Sequence, residues 1–99
     1  MHKGGTVYIT SSPNRTTLYT GVTSDLYKRM YEHRCKLHPH SFTARYNCVM
    51  LVYYCGFGSI EEAIAEEKRI KGSNRRYKEQ LINSMNPEWK DLWPELEIR

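Results

Sequence analysis

Arg29 and His33 stand four residues apart in the stretch YTGVTSDLYKRMYEH, residues 19–33, whose apolar spacing predicts a helix. At about 100° of rotation per residue, His33 falls about 20° from Leu26, inside the apolar stripe of Leu26, Met30 and Leu37. Arg29 falls about 60° from Leu26, at the edge of that stripe and on the same side as His33. Downstream, Ile60, Ala63, Ile64 and Ile70 form a second stripe, and Glu67 lies within about 20° of Ile60. Glu66 lies outside it. A carboxylate aimed at a core is costly unless it meets a cation, a metal ion or several donors. For His33 the bland reading is a core histidine bonded to a backbone carbonyl. For Glu67 it is a buried ion pair with Arg29 or a lysine. The sharper reading joins them, with phosphate- and proton-handling groups on one helix and a metal-binding carboxylate on another, around a shared cleft.

Charge adds a third signal. Lys plus Arg exceed Asp plus Glu by 15 to 11, and Lys68, Arg69, Lys71, Arg75, Arg76 and Lys78 form a run without an acidic residue. Most such runs are solvated helix faces; in a basic chain, a surface that tracks phosphates is the alternative. The balance favours nucleic acid or an anionic membrane surface as partner. The longest apolar stretch, residues 49–55, is too short to span a bilayer, and the first ten residues lack the apolar run of a signal peptide. Cys35, Cys48 and Cys55 are odd in number and show no framework spacing, so they read as reduced thiols of a cytoplasmic protein. A zinc site combining Cys35, His38, His40 and Cys48 lacks any CxxC or HxxxH pair to support it.

Ninety-nine residues form one domain. Residues 6–10 (TVYIT) and 16–20 (TTLYT) read as strands around the turn residues Ser11-Ser12-Pro13-Asn14, giving a hairpin with Tyr8 and Tyr19 on one face. After Gly21, Thr23-Ser24-Asp25 caps a helix running to about Lys36. Residues 38–48 read as a loop anchored by Phe42 and Tyr46. Residues 50–57 (MLVYYCGF) read as a strand buried on both faces. Ser59 to Glu62 is a capping box for a helix ending near Gly72. A third helix runs from about Asn74 to Met85, with Tyr77, Leu81, Ile82 and Met85 on one side, and Asn86-Pro87 stops it. Residues 87–99 form a tail that folds back through Trp89, Leu92, Trp93 and Leu96. The class is α+β, a three-stranded antiparallel sheet flanked by about three helices.

The order Val7-Tyr8-Ile9, Tyr19-Thr20-Gly21, Arg29, His33 resembles the GIY-YIG nuclease domain. The chain is similar to small single-domain bacterial proteins related to the GIY-YIG nuclease domain of the bacterial excision-repair excinuclease. LYTGVTSDLYKRMYEH, FTARYN, LVYYCGF, the Glu67-Lys68 and Ile70-Lys71 pairs and MNPEWKDL support the resemblance over almost the whole chain. It departs from the usual pattern in reading TVY for GIY and in carrying Thr20 where Ile is usual. An aromatic residue often follows the Ile-Lys pair in relatives; here Gly72-Ser73-Asn74 follows.

The resemblance implies metal-dependent hydrolysis of phosphodiester bonds. Tyr8 and Tyr19 match the two motif tyrosines, Arg29 and His33 the helix residues, and Glu67 the metal-binding glutamate, with Mg2+ or Mn2+ as the ion. Asn86 matches the family's late asparagine, with Asn83 and Asn74 as competitors. Tyr8 would be the general base, Arg29 a phosphate clamp, and Tyr19 and His33 would position water and relay protons. The bland reading of either tyrosine alone is hairpin packing. The expected activity is a structure-selective or weakly sequence-specific endonuclease acting on nucleic acid, DNA more than RNA, with a protein partner for targeting. The rivals are a nucleic-acid-binding module without turnover and a protein-interaction domain in which Glu67 and His33 form a buried network.

Overall fold

The computed structural model describes residues 4–97, so the outermost ends of the expected 1–99 domain, residues 1–3 and 98–99, lie outside it. The elements run β1 (Gly5–Ser11), β2 (Leu18–Thr23), α1 (Leu26–Arg34), α2 (Phe42–Arg45), β3 (Met50–Phe57), α3 (Ile60–Lys71), α4 (Arg75–Met85) and α5 (Trp93–Glu97). The three strands form one antiparallel sheet in the order β2-β1-β3. Three helices are long, as expected; α2 and α5 are additional short ones.

Alternation along β1 decides where the core sits. Val7 and Ile9 face one side, where Val52, Ala63, Ile70, Ile82 and Trp89 complete a cluster beneath α3 and α4. Tyr8 faces the other side, with Met30, Leu51, Leu92, Trp93 and Leu96 under α1 and α5. The sheet is therefore covered on both faces. Local chemistry starts each helix: Asp25 accepts from the Lys28 amide, Ser59 from Glu62 and Asn74 from Tyr77. Gly5 lets α3 approach β1, since a Cβ there would stand 2.8 Å from the Ala63 Cβ.

Several expectations are corrected. The central strand is β1, buried almost throughout, whereas β3 lies at an edge and its half from Tyr54 onward is partly exposed. Its apolar character reflects cover from the C-terminal segment: the Leu92 amide donates to the Leu51 carbonyl and the Leu51 amide to Asp91 Oδ1. That segment shields the β3 edge from pairing with another chain. Strand β2 starts later than the expected residue 16 and runs on past residue 20 to Thr23, with Gly21 paired to Tyr8.

Helix α1 ends at Arg34, so Leu37 falls beyond the apolar stripe and is 54% exposed. Ile64 and Met85, also assigned to stripes, lie at the exposed margins of α3 and α4. Residues 38–48 are not all loop. Ser41 caps the single turn of α2, and the buried anchors are Thr43 and Cys48, while Phe42 and Tyr46 are exposed. All three cysteines are free. Trp89, Leu92, Trp93 and Leu96 are buried, as the tail reading expects.

Candidate active site

Tyr8 occupies the middle of the central strand, between Gly21 on β2 and Tyr54 on β3. Its ring crosses Gly21 so closely that a Cβ at that position would lie 2.4 Å from the phenol oxygen. Only a residue without a side chain leaves room for it. The ring points toward α1, where Tyr8 Oη and His33 Nε2 are hydrogen bonded at 3.0 Å. On the other side of the imidazole, Nδ1 meets the hydroxyl of buried Thr43 at 2.9 Å. Tyr19, two residues before Gly21 on the same face of β2, sits 6.4 Å from the Tyr8 ring and 6.1 Å from His33 between centroids. Sheet and helix thus bring Tyr8, Tyr19, Arg29 and His33 together.

Electrostatics follow from this packing. Burial pushes the Tyr8 phenol up to about 12, opposed by the Arg29 guanidinium beside it. Burial, then the Arg29 charge, pushes His33 down to about 4, so its imidazole is neutral near pH 7. Tyr8, His33 and Thr43 form a hydrogen-bonded row through which a proton can move. Arg29 pairs with Glu32 at 3.3 Å, not with Glu67, which removes the ion pair proposed for those two residues.

Glu67 lies on α3, which covers the opposite face of the sheet, and is linked to this group through Lys71. Helices α1 and α3 do not face each other across a cleft: Met30 of α1 packs on the Tyr8 side, and Ala63 and Ile70 of α3 pack on the Val7 side. Helical phase reports which residues face the sheet but not which face they meet. The connection runs around the edge strand β2. Glu67, 13% exposed, is paired through Oε2 with Lys71 Nζ at 2.7 Å, and that ammonium stands 5.5 Å from the Tyr19 ring centroid. Of the two bland readings for Glu67, a lysine pair is the one present, and Glu67 raises the Lys71 ammonium above its ordinary value.

The donor set suits some ions and not others. Among the described residues no three His, Cys, Asp or Glu side chains cluster, which excludes a closed zinc site built from them. One carboxylate does suit a hard cation that keeps most of its waters and takes phosphate oxygens from a substrate, as Mg2+ does. Glu67 fits that role, with Lys71 as its present partner.

Asn86 is placed elsewhere. It is buried, its amide donates to the Val52 and Lys90 carbonyls, and its oxygen accepts from the Lys90 amide. Val52 is the extra residue where β3 slips against Ile9 and Thr10, so Asn86 closes a β-bulge. The competitors are also engaged: Asn83 accepts from Trp89 Nε1 and Asn74 caps α4. Four of the six cations in the basic run are held by neighbours. Lys71 pairs with Glu67, Arg69 with Glu66, Arg75 with Glu79 and Lys78 with the Ser73 carbonyl. Lys68 and Arg76 are exposed without such a partner among the described residues.

Sequence reasoning did not name Thr43 as a neighbour of the candidate site, and named Lys71 only within the basic run. Thr43, the second partner of His33, lay in a segment read as loop, and nothing in its local pattern pointed to the histidine. Lys71 had a legible signal, since it follows Glu67 by four residues on one helix.

Comparison with known proteins bears on the family and the fold. The chain is 29% identical over 93 residues to a UPF0213 protein of Serratia liquefaciens, covering 94% of this chain and 89% of that one. A UPF0213 protein of Cronobacter sakazakii is 33% identical over 76 residues, covering 77% and 78%. A UPF0213 protein of Bacillus halodurans, solved in solution by NMR, superposes with a TM-score of 0.56 at 30% identity, covering 89% and 92%. No helix among the described residues is long and apolar enough to cross a membrane. Residues 4–83 match the GIY-YIG catalytic domain, a nuclease family whose members generally depend on divalent metal ions. The chain belongs to the GIY-YIG family.

Proposed function

We propose that the protein is a metal-dependent endonuclease that hydrolyses phosphodiester bonds in nucleic acid, DNA before RNA, in the cytoplasm. The observation that carries this reading is the 3.0 Å contact between Tyr8 Oη and His33 Nε2, half-buried beside Arg29 and Tyr19. Hydrolysis needs an activated water, neutralised charge on the phosphoryl oxygens and a stabilised leaving oxygen. Arg29 clamps a non-bridging oxygen. Thr43 accepts from Nδ1–H, which leaves Nε2 free to take the phenol proton as Tyr8 receives one from the attacking water. The water oxygen bonds to phosphorus, the bond to the leaving oxygen breaks, and that oxygen takes up a proton from solvent. Glu67 would hold a divalent ion, Mg2+ or Mn2+, which when bound would supply positive charge to offset that on the phosphoryl and leaving oxygens. Lys71 then moves from Glu67 toward the phosphate, and Tyr19 packs the water in place. Lys68 and Arg76 track the flanking backbone, and a partner protein directs the domain to its substrate.

One observation favours the rival, a binding module without turnover: the Glu67 carboxylate is already neutralised by Lys71. Cleavage assays on duplex, branched and single-stranded DNA with Mg2+ and Mn2+ separate the two. The enzyme reading expects nicked products that Glu67→Gln and Arg29→Ala abolish in a folded protein. Salt-sensitive binding with no product under any of these conditions would leave the binding module.

A further inference from the structure

Helix α1 ends in a motif that asks for glycine and contains lysine. The Lys36 amide donates to the His33 carbonyl at 3.2 Å and the Leu37 amide to the Glu32 carbonyl at 3.1 Å, the two bonds of a Schellman ending. Its central residue adopts the left-handed conformation, and Lys36 does so with φ of 51°. Glycine takes this conformation without steric cost, whereas a Cβ makes it unfavourable. Strain of this kind persists where the surroundings use the side chain.

The surroundings here are a cavity of about 170 Å³ between the end of α1 and the start of α2. Lys36 lines it together with His38, Ser41 and Thr43, and it shares Arg29 and His33 with the Tyr8 centre. Glu32 also lines the cavity, and its carboxylate is already paired with Arg29. Lys36 has no ion-pair or side-chain hydrogen-bond partner among the described residues. The cavity thus presents an unpaired ammonium, an imidazole and a hydroxyl beside the guanidinium assigned to the scissile phosphate. Their shared chemistry is that of an oxyanion site.

We propose that this cavity is a second phosphate subsite, which holds the phosphodiester next to the one being cleaved, with Lys36 as its principal ligand and His38 and Ser41 beside it. The subsite rests on the nuclease reading and extends it. Two adjacent phosphates fixed on either side of Arg29 set the direction in which the strand crosses Tyr8. Lys36 lines the cavity from this left-handed position, and a phosphate contact there would offset the backbone cost that glycine would avoid.

The test is equilibrium binding of a fluorescently labelled DNA oligonucleotide in EDTA, where no cleavage occurs, over about 50–200 mM NaCl. Wild type is compared with Lys36→Gly, Lys36→Asn and Lys36→Arg. Gly and Asn suit the backbone, so these two variants should melt at the same temperature as wild type or higher. They should nonetheless bind more weakly, with the slope of log affinity against log salt shallower by about 0.7–0.9, the loss of one phosphate contact. Lys36→Arg should restore the slope. Wild-type affinity and slope in Lys36→Gly and Lys36→Asn would overturn the subsite and leave the nuclease reading standing. Failure of wild type to bind DNA at any salt concentration would overturn both.

Discussion

Gly21 lies directly opposite Tyr8 in the sheet, and a Cβ added to it would stand 2.4 Å from the phenol oxygen. The glycine of the second motif thus serves the tyrosine of the first. Gly21→Ala should push the Tyr8 ring off His33, destabilising the fold by roughly 1–3 kcal/mol, the range for overpacking. Chemical denaturation measures that cost. A stable Gly21→Ala protein with the His33 ring resonances of wild type would refute the contact.

His33 makes stability depend on pH in a definite direction. Its ordinary value is 6.5, and in the fold burial lowers it to about 4. The unfolded chain therefore binds the proton more readily. This contribution is fully present above pH 6.5 and disappears as pH falls through about 4. Solvent screening at a half-exposed ring limits it to roughly 1–2 kcal/mol. Urea unfolding at pH 7 and pH 4.5 should show a larger loss for wild type than for His33→Gln; equal losses would contradict the lowered value.

Asn86 should behave as a structural residue. Asn86→Ala removes three hydrogen bonds and leaves the Val52 carbonyl of the bulge without that donor. The expected cost is roughly 2–4 kcal/mol, read from the midpoint of denaturation. A variant as stable as wild type but inactive would return Asn86 to the catalytic group.

Thr20 offers the reverse experiment. Its hydroxyl is buried with no partner, in the strand position directly opposite Ile9. Thr20→Val keeps the shape and removes an unsatisfied polar atom, so stability should rise by about 1 kcal/mol. A fall would show that the hydroxyl has a partner, such as a buried water.

Much of this architecture was legible because it rests on local chemistry. Asp25, Ser59 and Asn74 announce three helices, and helical phase alone marks His33 and Glu67 as inward-facing ionisable residues. The failures are non-local. Periodicity could not say that α1 and α3 cover opposite faces of the sheet, because a stripe looks the same whichever face it meets. It read β3 as buried on both faces but could not show that β3 is an edge strand, because the cover that Leu92 and Asp91 give that edge comes from some forty residues away. It could not connect Thr43 with His33, since that bond depends on how the segment between α1 and β3 folds back. The basic run is less free than its composition implies: the partners of Arg69, Lys71 and Arg75 lie three or four residues away on the same helix, and that spacing was there to be read.

Central to the proposed mechanism is a divalent ion held by Glu67 within reach of Tyr19 and Tyr8. Titration with Mn2+, followed by residue-resolved NMR, tests it without a substrate. Paramagnetic broadening should appear first at Glu67, Lys71 and Tyr19, spread to Tyr8 and His33, and vanish in Glu67→Gln. Broadening centred elsewhere, or unchanged by Glu67→Gln, would contradict a metal site at Glu67.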